Sequence, residues 1–452
     1  MKSPLYNRLK AYHDKNRISF AMPGHKQRGI KDDLLKYDVT ELELTENLLH
    51  PGKHMSHALE LLSDIYKSDK SFISTCGSTI AIHAMIASSL KSGETLLASS
   101  DCHMSVVNIC AIMGINLRFI PKEYDTDFQI PQKTPSIKEI LKAHPDIRAC
   151  IITSPNYYGI CSDIKAIAKE CHEHGIVLIV DEAHGAHFIA SDKFPQTAME
   201  QGADLSCQSA HKTLNALTGA GYVHIKSKII SPERLHRALC MLHTSSPSYP
   251  IAVSADIARA ELSSDKWETL CYKCEEIKRE ICADTKVQFL QNDDPTRLVV
   301  SLKNYGISGF EAENILREKY GIDIEMSTPN ALVLIITPSN TDKELKAFVS
   351  AIKDICKTAT LTNIHEPFLT PECPKGLISP AKAFFGKREK TKLTLSTGRI
   401  CADTVTVYPP GIPILYPGAV IEKSAILYIE KSAALGAHIT GMEDGMINVI
   451  EE

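Results

Sequence analysis

The stretch IVLIVDEAHGAHF, residues 176–188, decides the fold. Five aliphatic residues, Ile176 to Val180, run without interruption into Asp181. An unbroken apolar run is the signature of a strand buried on both faces, which requires a parallel sheet covered by helices. The same pattern repeats outward in TLLAS (95–99), LRFIP (117–121), ACIIT (149–153) and GYVHI (221–225). Helix-like stretches fall between them, at 78–90, 104–113, 163–174 and 195–201. Strand and helix alternating from about residue 70 to 230 predict an α/β fold. Such sheets take ligands at the carboxyl ends of their strands, so the residues just past each run are the ones that matter.

Asp181 is costly at the end of a buried strand unless a positive group meets it, although an aspartate there also caps a following helix. Ala183 is small enough to let a flat ring lie against the backbone. In STCGSTIAIHAM (74–85), Gly77, Ser78 and Thr79 stand at a predicted helix start. First-turn amides and hydroxyls there suit an anion, and ordinary capping by Ser78 or Thr79 is the plainer reading. LLASSDCHMSVVN (96–108) sets His103 beyond another strand, where a histidine is ordinarily packed or at the surface. Asn156 and Tyr157 follow a fourth strand in a turn. DLSCQSAHKTLNALTG (204–219) places Lys212 among Ser209, His211 and Thr213, all hydrogen-bonding groups.

Taken together these strand ends offer an anion cradle, a flat side chain, a buried carboxylate and a lysine. That set matches pyridoxal phosphate. The phosphate calls for Gly77, Ser78 and Thr79, helped by Ser209 and His211. The protonated pyridine nitrogen calls for Asp181, and the aldehyde for an amine, which Lys212 supplies. The stretch between Asp181 and Lys212 has room for one helix and the next strand.

A chain of 452 residues predicts two or three domains. Its net charge of −4 gives no basic surface for nucleic acid or membrane and favours a small-molecule partner. The opening MKSPLYNRLKAYHDKNRISF lacks an apolar signal core and reads as an amphipathic helix; no run long enough to span a membrane occurs. Fourteen cysteines without a paired framework favour reduced thiols and the cytoplasm. The CxxC of Cys271 and Cys274 lies in a helical pattern of charges without a second ligand pair. A metal hydrolase reading would use His184 and His187, or His50, His54 and His57 of HPGKHMSH. Pro51 and Gly52 interrupt the latter cluster and the former lacks a third ligand, so no metal is expected. Past residue 265 a charged helix (266–285), strands in 296–304 and 331–337, and helices at 309–319 and 342–357 predict a small α+β unit. The proline-rich 365–380 reads as a linker, and VYPPGIPILYPG (407–418) as a rigid stretch rich in turns.

MPGHK (22–26), DEAHGAHF (181–188), SAHKTLNALT (209–218), TSSPSYP (244–250) and GRICADTVTVYPPGIPILYPG (398–418) follow one another in a familiar order. With these motifs the chain resembles the ornithine/lysine/arginine decarboxylase family of pyridoxal-phosphate enzymes, in its short form without an N-terminal wing. The resemblance implies an aminotransferase fold. A large cofactor-binding domain (66–265) with a mostly parallel seven-stranded sheet would follow an N-terminal segment (1–65). A smaller α+β C-terminal domain (266–365) would be completed by an extension (366–452). The resemblance further implies decarboxylation of a basic amino acid, arginine ahead of lysine and ornithine. Another pyridoxal-phosphate activity on this fold, an aminotransferase or carbon–sulfur lyase, is the alternative, as is a member that has lost turnover. Lys212 would carry the cofactor, Asp181 pair with the ring nitrogen, and His103 stack on the ring. Ala183 and His184 would line the other side, while Ser245 and Ser246 would reach a neighbouring subunit's site in a homodimer or larger assembly. Two positions depart from the pattern: Cys76, where asparagine is frequent, and Ala419, where relatives often carry a glutamate that receives the substrate's distal cation.

Overall fold

The computed structural model describes residues 18–20, 46–362, 372–408 and 411–451. MPGHK, the stretch before Ile18 and part of the proline-rich linker lie outside these. Seven strands form the large sheet: β1 (Lys70–Ser74), β2 (Thr95–Ser99), β3 (Asn116–Ile120), β4 (Ile147–Thr153), β5 (Val177–Asp181), β6 (Leu205–Gln208) and β7 (Gly221–Ile225). Their order is β1-β7-β6-β5-β4-β2-β3. Only β7 runs against its neighbours. The other six therefore present their carboxyl ends at one edge.

Each face of the sheet is covered, as the apolar runs predict. Val177 and Ile179 of β5 pack with Ile82 and Met85 of α2 (Gly77–Ser89) and Val106 of α3 (Met104–Met113). Leu178 and Val180, pointing the opposite way, pack with Leu141 of α4 (Lys138–Ala143) and Ile167 of α5 (Ile164–Glu173). Each such aliphatic side chain contributes about 1.5–3 kcal/mol by leaving water. On the first face lies also α6 (Pro232–Leu242), through Leu235 and Leu239.

Two elements differ from the sequence reading. The expected helix at 195–201 is a turn: Pro195 cannot continue an earlier helix, and Gly202 at φ +95° ends the single turn closed by Gln201 N–H on Thr197 O (3.1 Å). Edge strand β1, KSFIS, is too short and polar for its periodicity to stand out.

Beyond α7 (Tyr249–Ala260) and α8 (Ser264–Asp284), a second sheet is built from β8 (Gln288–Phe289), β9 (Arg297–Ser301), β10 (Met326–Ser327) and β11 (Leu332–Ile335). It is antiparallel throughout, in the order β10-β11-β9-β8. Helices α8, α9 (Gly309–Tyr320) and α10 (Asp342–Thr358) complete this unit. Ile18 and Ser19 pair in parallel with Ile322 and Asp323, which delivers Phe20 against Phe348 at 5.5 Å. At the end of the chain, strands Arg388–Lys392 and Met446–Ile450 pair, while Val405–Tyr408, Ile412–Leu415 and His438–Thr440 form a three-stranded sheet. The stretch read as turns in 407–418 is thus largely a hairpin. The fold is α/β, a large mostly parallel seven-stranded sheet flanked by helices with a smaller α+β part.

Gly309 opens α9 under two carbonyls: a Cβ there would sit 2.1 Å from Thr328 O and 2.3 Å from Ala331 O. Gly309→Ala is expected to lower stability by about 1–3 kcal/mol through overpacking. Trp267, the only tryptophan, shares the core with Ala312 and Leu316 of α9 and reports the change as a lower denaturant midpoint by fluorescence. An unchanged midpoint would contradict the close approach.

Candidate active site

The turns after β1, β2, β4, β5 and β6 close on a cavity of about 310 Å³ at the shared carboxyl edge. It is lined by Gly77, Ser78, Thr79 and His103, by Asp181, Ala183 and His184, and by Ser209, His211 and Lys212. Ten of the twelve residues singled out from sequence therefore meet in one place. Ser245 and Ser246 do not: they are exposed in the loop after His243 and line no part of this chain's cavity.

Gly77 enters α2 at φ +70°, and a Cβ added to it would meet nothing within 4 Å. The backbone is bare where the cavity begins. Ser78 Oγ and Ser209 Oγ are 2.8 Å apart, so β1 and β6 bring two hydroxyls to the same point. The first-turn amides of α2 add a positive dipole end. This is a cradle for an anion, built without a cation from the two serines or the glycine.

Asp181 ends β5 in register with Thr153 and Cys207 and is 4% exposed. Its Oδ1 accepts from Ala183 N–H at 3.1 Å. Burial raises its pKa, opposed by the positive field of Lys212. Lys212 shows the mirror image: burial lowers its pKa, and Asp181 acts to raise it.

The contacts of Lys212 run on through His184 to Arg297. Its Nζ lies 3.0 Å from His184 Nε2. His184 Nδ1 lies 3.3 Å from Arg297 Nη1, and a guanidinium can only donate. Nδ1 is then the acceptor, and the ring's one proton sits on Nε2. Burial, then Lys212 and Arg297, hold His184 well below the usual histidine range, so the ring is neutral.

His103 caps α3, with Nδ1 accepting from Ser105 N–H at 3.2 Å. Burial, and next the charge of Lys212, push its pKa down to about 4. The loop of the C-terminal hairpin backs onto it: a Cβ on Gly411 would touch its ring at 3.4 Å. Tyr408 and Ile412 from that hairpin line the cavity. Neither was marked by the sequence reading, nor was Arg297, which reaches His184 from β9. Their signal is long-range, and no strand-end rule finds it. Two buried oxygens of lining residues, Asp101 Oδ1 and Thr153 Oγ1, have no hydrogen-bond partner among the described residues, and polar groups of a bound molecule would satisfy them.

The other candidate residues separate. His187 pairs with Asp294 at 3.3 Å, away from His184. His54 contacts Glu46 and His57 contacts Glu60, so neither joins His50. Cys271 and Cys274 are buried in the core, and burial raises both thiol pKa values. Ala419 packs with Val107 and Tyr416 and does not line the cavity.

A family model described as the Orn/Lys/Arg decarboxylase major domain matches residues 3–298, and one for the C-terminal domain matches residues 367–449. An arginine decarboxylase of Bacillus subtilis is 30% identical, over 100% of this chain and 98% of its own. The structure of a lysine decarboxylase from Francisella novicida superposes with a TM-score of 0.79 at 18% identity, over 93% of this chain and 75% of that one. An alanine–glyoxylate aminotransferase from Nostoc does so with a TM-score of 0.59 at 15% identity, over 75% and 95%. These two structural likenesses concern the fold.

Behind the cavity Glu182 turns into the sheet. Its oxygens accept from Ala198 N–H (2.8 Å) and Gln208 Nε2 (2.7 Å), and Gln208 Oε1 lies 3.2 Å from His224 Nε2. Burial pushes the carboxyl up to about 8, far above its unfolded value near 4.5. A group raised on folding stabilises fully below its unfolded pKa and loses that contribution as pH climbs through the folded one. Stability is therefore expected to fall between about pH 5 and about pH 9, by at most about 1.4 kcal/mol per pH unit from this group. Glu182→Gln should flatten that slope in denaturant midpoints, whatever constant offset it adds; an unchanged slope would show that Glu182 titrates normally.

Proposed function

The chain belongs to the Orn/Lys/Arg decarboxylase family, and from that premise we propose that it releases carbon dioxide from arginine, using pyridoxal phosphate carried on Lys212. The observation that carries this reading is the meeting of Lys212, Asp181 and the Gly77–Ser78–Ser209 cradle in one cavity. Membership makes the substrate a basic amino acid. Arginine is favoured because the relative matched along its whole length is an arginine decarboxylase.

The residues present fit the cofactor. Ser78, Thr79, Ser209, His211 and the amides after Gly77 receive its phosphate, with the helix dipole of α2 assisting. Asp181 keeps a proton on the ring nitrogen, and that pairing replaces the water its buried carboxylate has lost. His103 and Ala183, both lining the cavity, would flank its ring. When bound, the cofactor supplies a cationic conjugated ring that accepts the electron pair of the Cα–carboxylate bond. The protein's share would be orientation, since how the cavity walls place the substrate's Cα–carboxylate bond selects decarboxylation over transamination. Burial first, and then the charge of Arg297, lower the pKa of Lys212 and so favour its nucleophilic amine. With Nδ1 accepting from Ser105 N–H, neutral His103 carries its proton on Nε2 as a hydrogen-bond donor.

The exposed loop with Ser245 and Ser246 serves a second subunit's site, which makes a homodimer the minimal active unit. Unpaired cysteines throughout support a reducing, cytoplasmic setting, and no described helix is long and apolar enough to cross a membrane.

Two measurements test the reading. Arginine, lysine and ornithine are offered in turn, with carbon dioxide and the product amine quantified. Arginine should give agmatine with the highest kcat/KM, and Lys212→Ala should abolish turnover and borohydride fixation of the cofactor at residue 212. Keto-acid formation in place of carbon dioxide would instead favour an aminotransferase. For the histidine relay, Arg297→Met should move the pH midpoint of cofactor attachment upward, because the guanidinium holds the Lys212 pKa down. Arg297→Lys should restore part of the shift. Weaker attachment at every pH with the same midpoint would reduce Arg297 to a packing role.

A further inference from the structure

We propose that His50, His236 and Cys240 form a site for a thiophilic divalent cation, zinc being the best match, on the outer face of α6. His236 and Cys240 stand at i and i+4 on α6, which stacks them on one helix face. His50 comes from the segment before α1 (Lys53–Tyr66), which crosses that face. One ligand atom from each of the three lies within 4.8 Å of the others. His236 Nε2 and Cys240 Sγ are 3.4 Å apart. Tetrahedral zinc with ordinary bond lengths would place such a nitrogen and sulfur roughly 3.5 Å apart, so this pair needs almost no movement.

The surroundings hold the ligands in place. His236 stacks on Phe72, with centroids 5.7 Å apart and planes 8° from parallel, which fixes the direction of Nε2. The edge of His50 meets the His236 ring at 5.9 Å and 88°. Leu49 O lies 2.6 Å from His236 Nε2 and 4.0 Å from Cys240 Sγ, a fourth donor converging on the same point. Without metal, His236 Nε2–H donates to Leu49 O; metal binding replaces that proton and the thiol proton, so affinity should rise with pH. One thiolate and two imidazoles select zinc over magnesium or calcium. His50 is exposed while Cys240 and His236 are half-buried, giving a route in from solvent.

HPGKHMSH thus contributes one ligand rather than three. His54 and His57 are turned to Glu46 and Glu60, and the partners of His50 come from α6, on the far side of the large sheet's sequence. The bound ion would tie residues 46–50 to α6, just before the loop that carries Ser245 and Ser246. Tyr249 already ties the far end of that loop to the same segment by donating to Glu46 O. The site shares no residue with the cavity, so its test is independent of the decarboxylase reading.

The experiment titrates cobalt(II) into the full-length, cofactor-loaded protein after chelator treatment. One equivalent should bind with a thiolate-to-cobalt charge-transfer band, and zinc should displace it. Cys240→Ser should abolish the band. His50→Ala and His236→Ala should weaken zinc binding by at least about tenfold, the scale on which even supporting groups act. Zinc should raise the melting temperature of the parent and leave that of Cys240→Ser unmoved. Absence of the band in the parent, its persistence in Cys240→Ser, or binding only at millimolar metal would each overturn the proposal.

Discussion

Asp181 and Lys212 are both withdrawn from water at adjacent strand ends, and much of the structure answers the cost of doing so. Each is displaced towards its neutral form by burial and pulled back by the other. A surface pair would be worth little, and a buried one is worth having only when its remaining atoms are satisfied. Here they are only partly satisfied by protein. Ala183 N–H takes one oxygen of Asp181 and His184 takes Nζ of Lys212, while the rest faces an open cavity. A scaffold that keeps two ionisable groups in this state is arranged for something that binds between them.

The sheet alone does not finish the site. Arg297 belongs to the antiparallel unit, yet it sets the tautomer of His184. The C-terminal hairpin closes the opposite wall with Tyr408 and Ile412. The cavity is thus lined by two parts of the chain, the strand ends of the large sheet and the C-terminal hairpin, while a third reaches His184 through Arg297.

Much of this was legible in the sequence because the relevant signals are local. Apolar runs report burial on both faces of a strand, and the strand-end rule then names the residues that follow. That logic reached Asp181, Ala183, Lys212 and the Gly77 cradle, while His184 came from the family resemblance. It missed Arg297, Tyr408 and Ile412, whose place depends on how separate units dock, and it made a helix of 195–201 by weighing propensity above Pro195 and Gly202. Ala419 shows the reverse limit. The resemblance led to an expected glutamate there, whereas the methyl here fills a buried spot beside Val107 and Tyr416.

The length of the DEAHGAHF motif has a physical explanation in the directions its side chains take. Asp181 and Ala183 face the cavity, Glu182 enters the polar ladder between strands, and His184 meets the lysine. His187, pressed on Trp267 at 4.8 Å, turns the other way to Asp294. Burial would raise that carboxyl, but His187, Arg297 and Thr296 together outweigh it and hold the pKa down at about 2. Asp294 in turn accepts from Thr296 N–H and Oγ1, and its carbonyl accepts from Arg297 N–H. Gly159, at φ +81°, lets the turn after β4 come so close that a Cβ would lie 3.0 Å from Arg297 Cβ. The start of β9 is therefore pinned from two sides by residues of the large sheet. His187 places the strand, the strand places Arg297, and Arg297 sets the proton on His184. One end of the motif thereby governs, through the neighbouring unit, the chemistry at its other end.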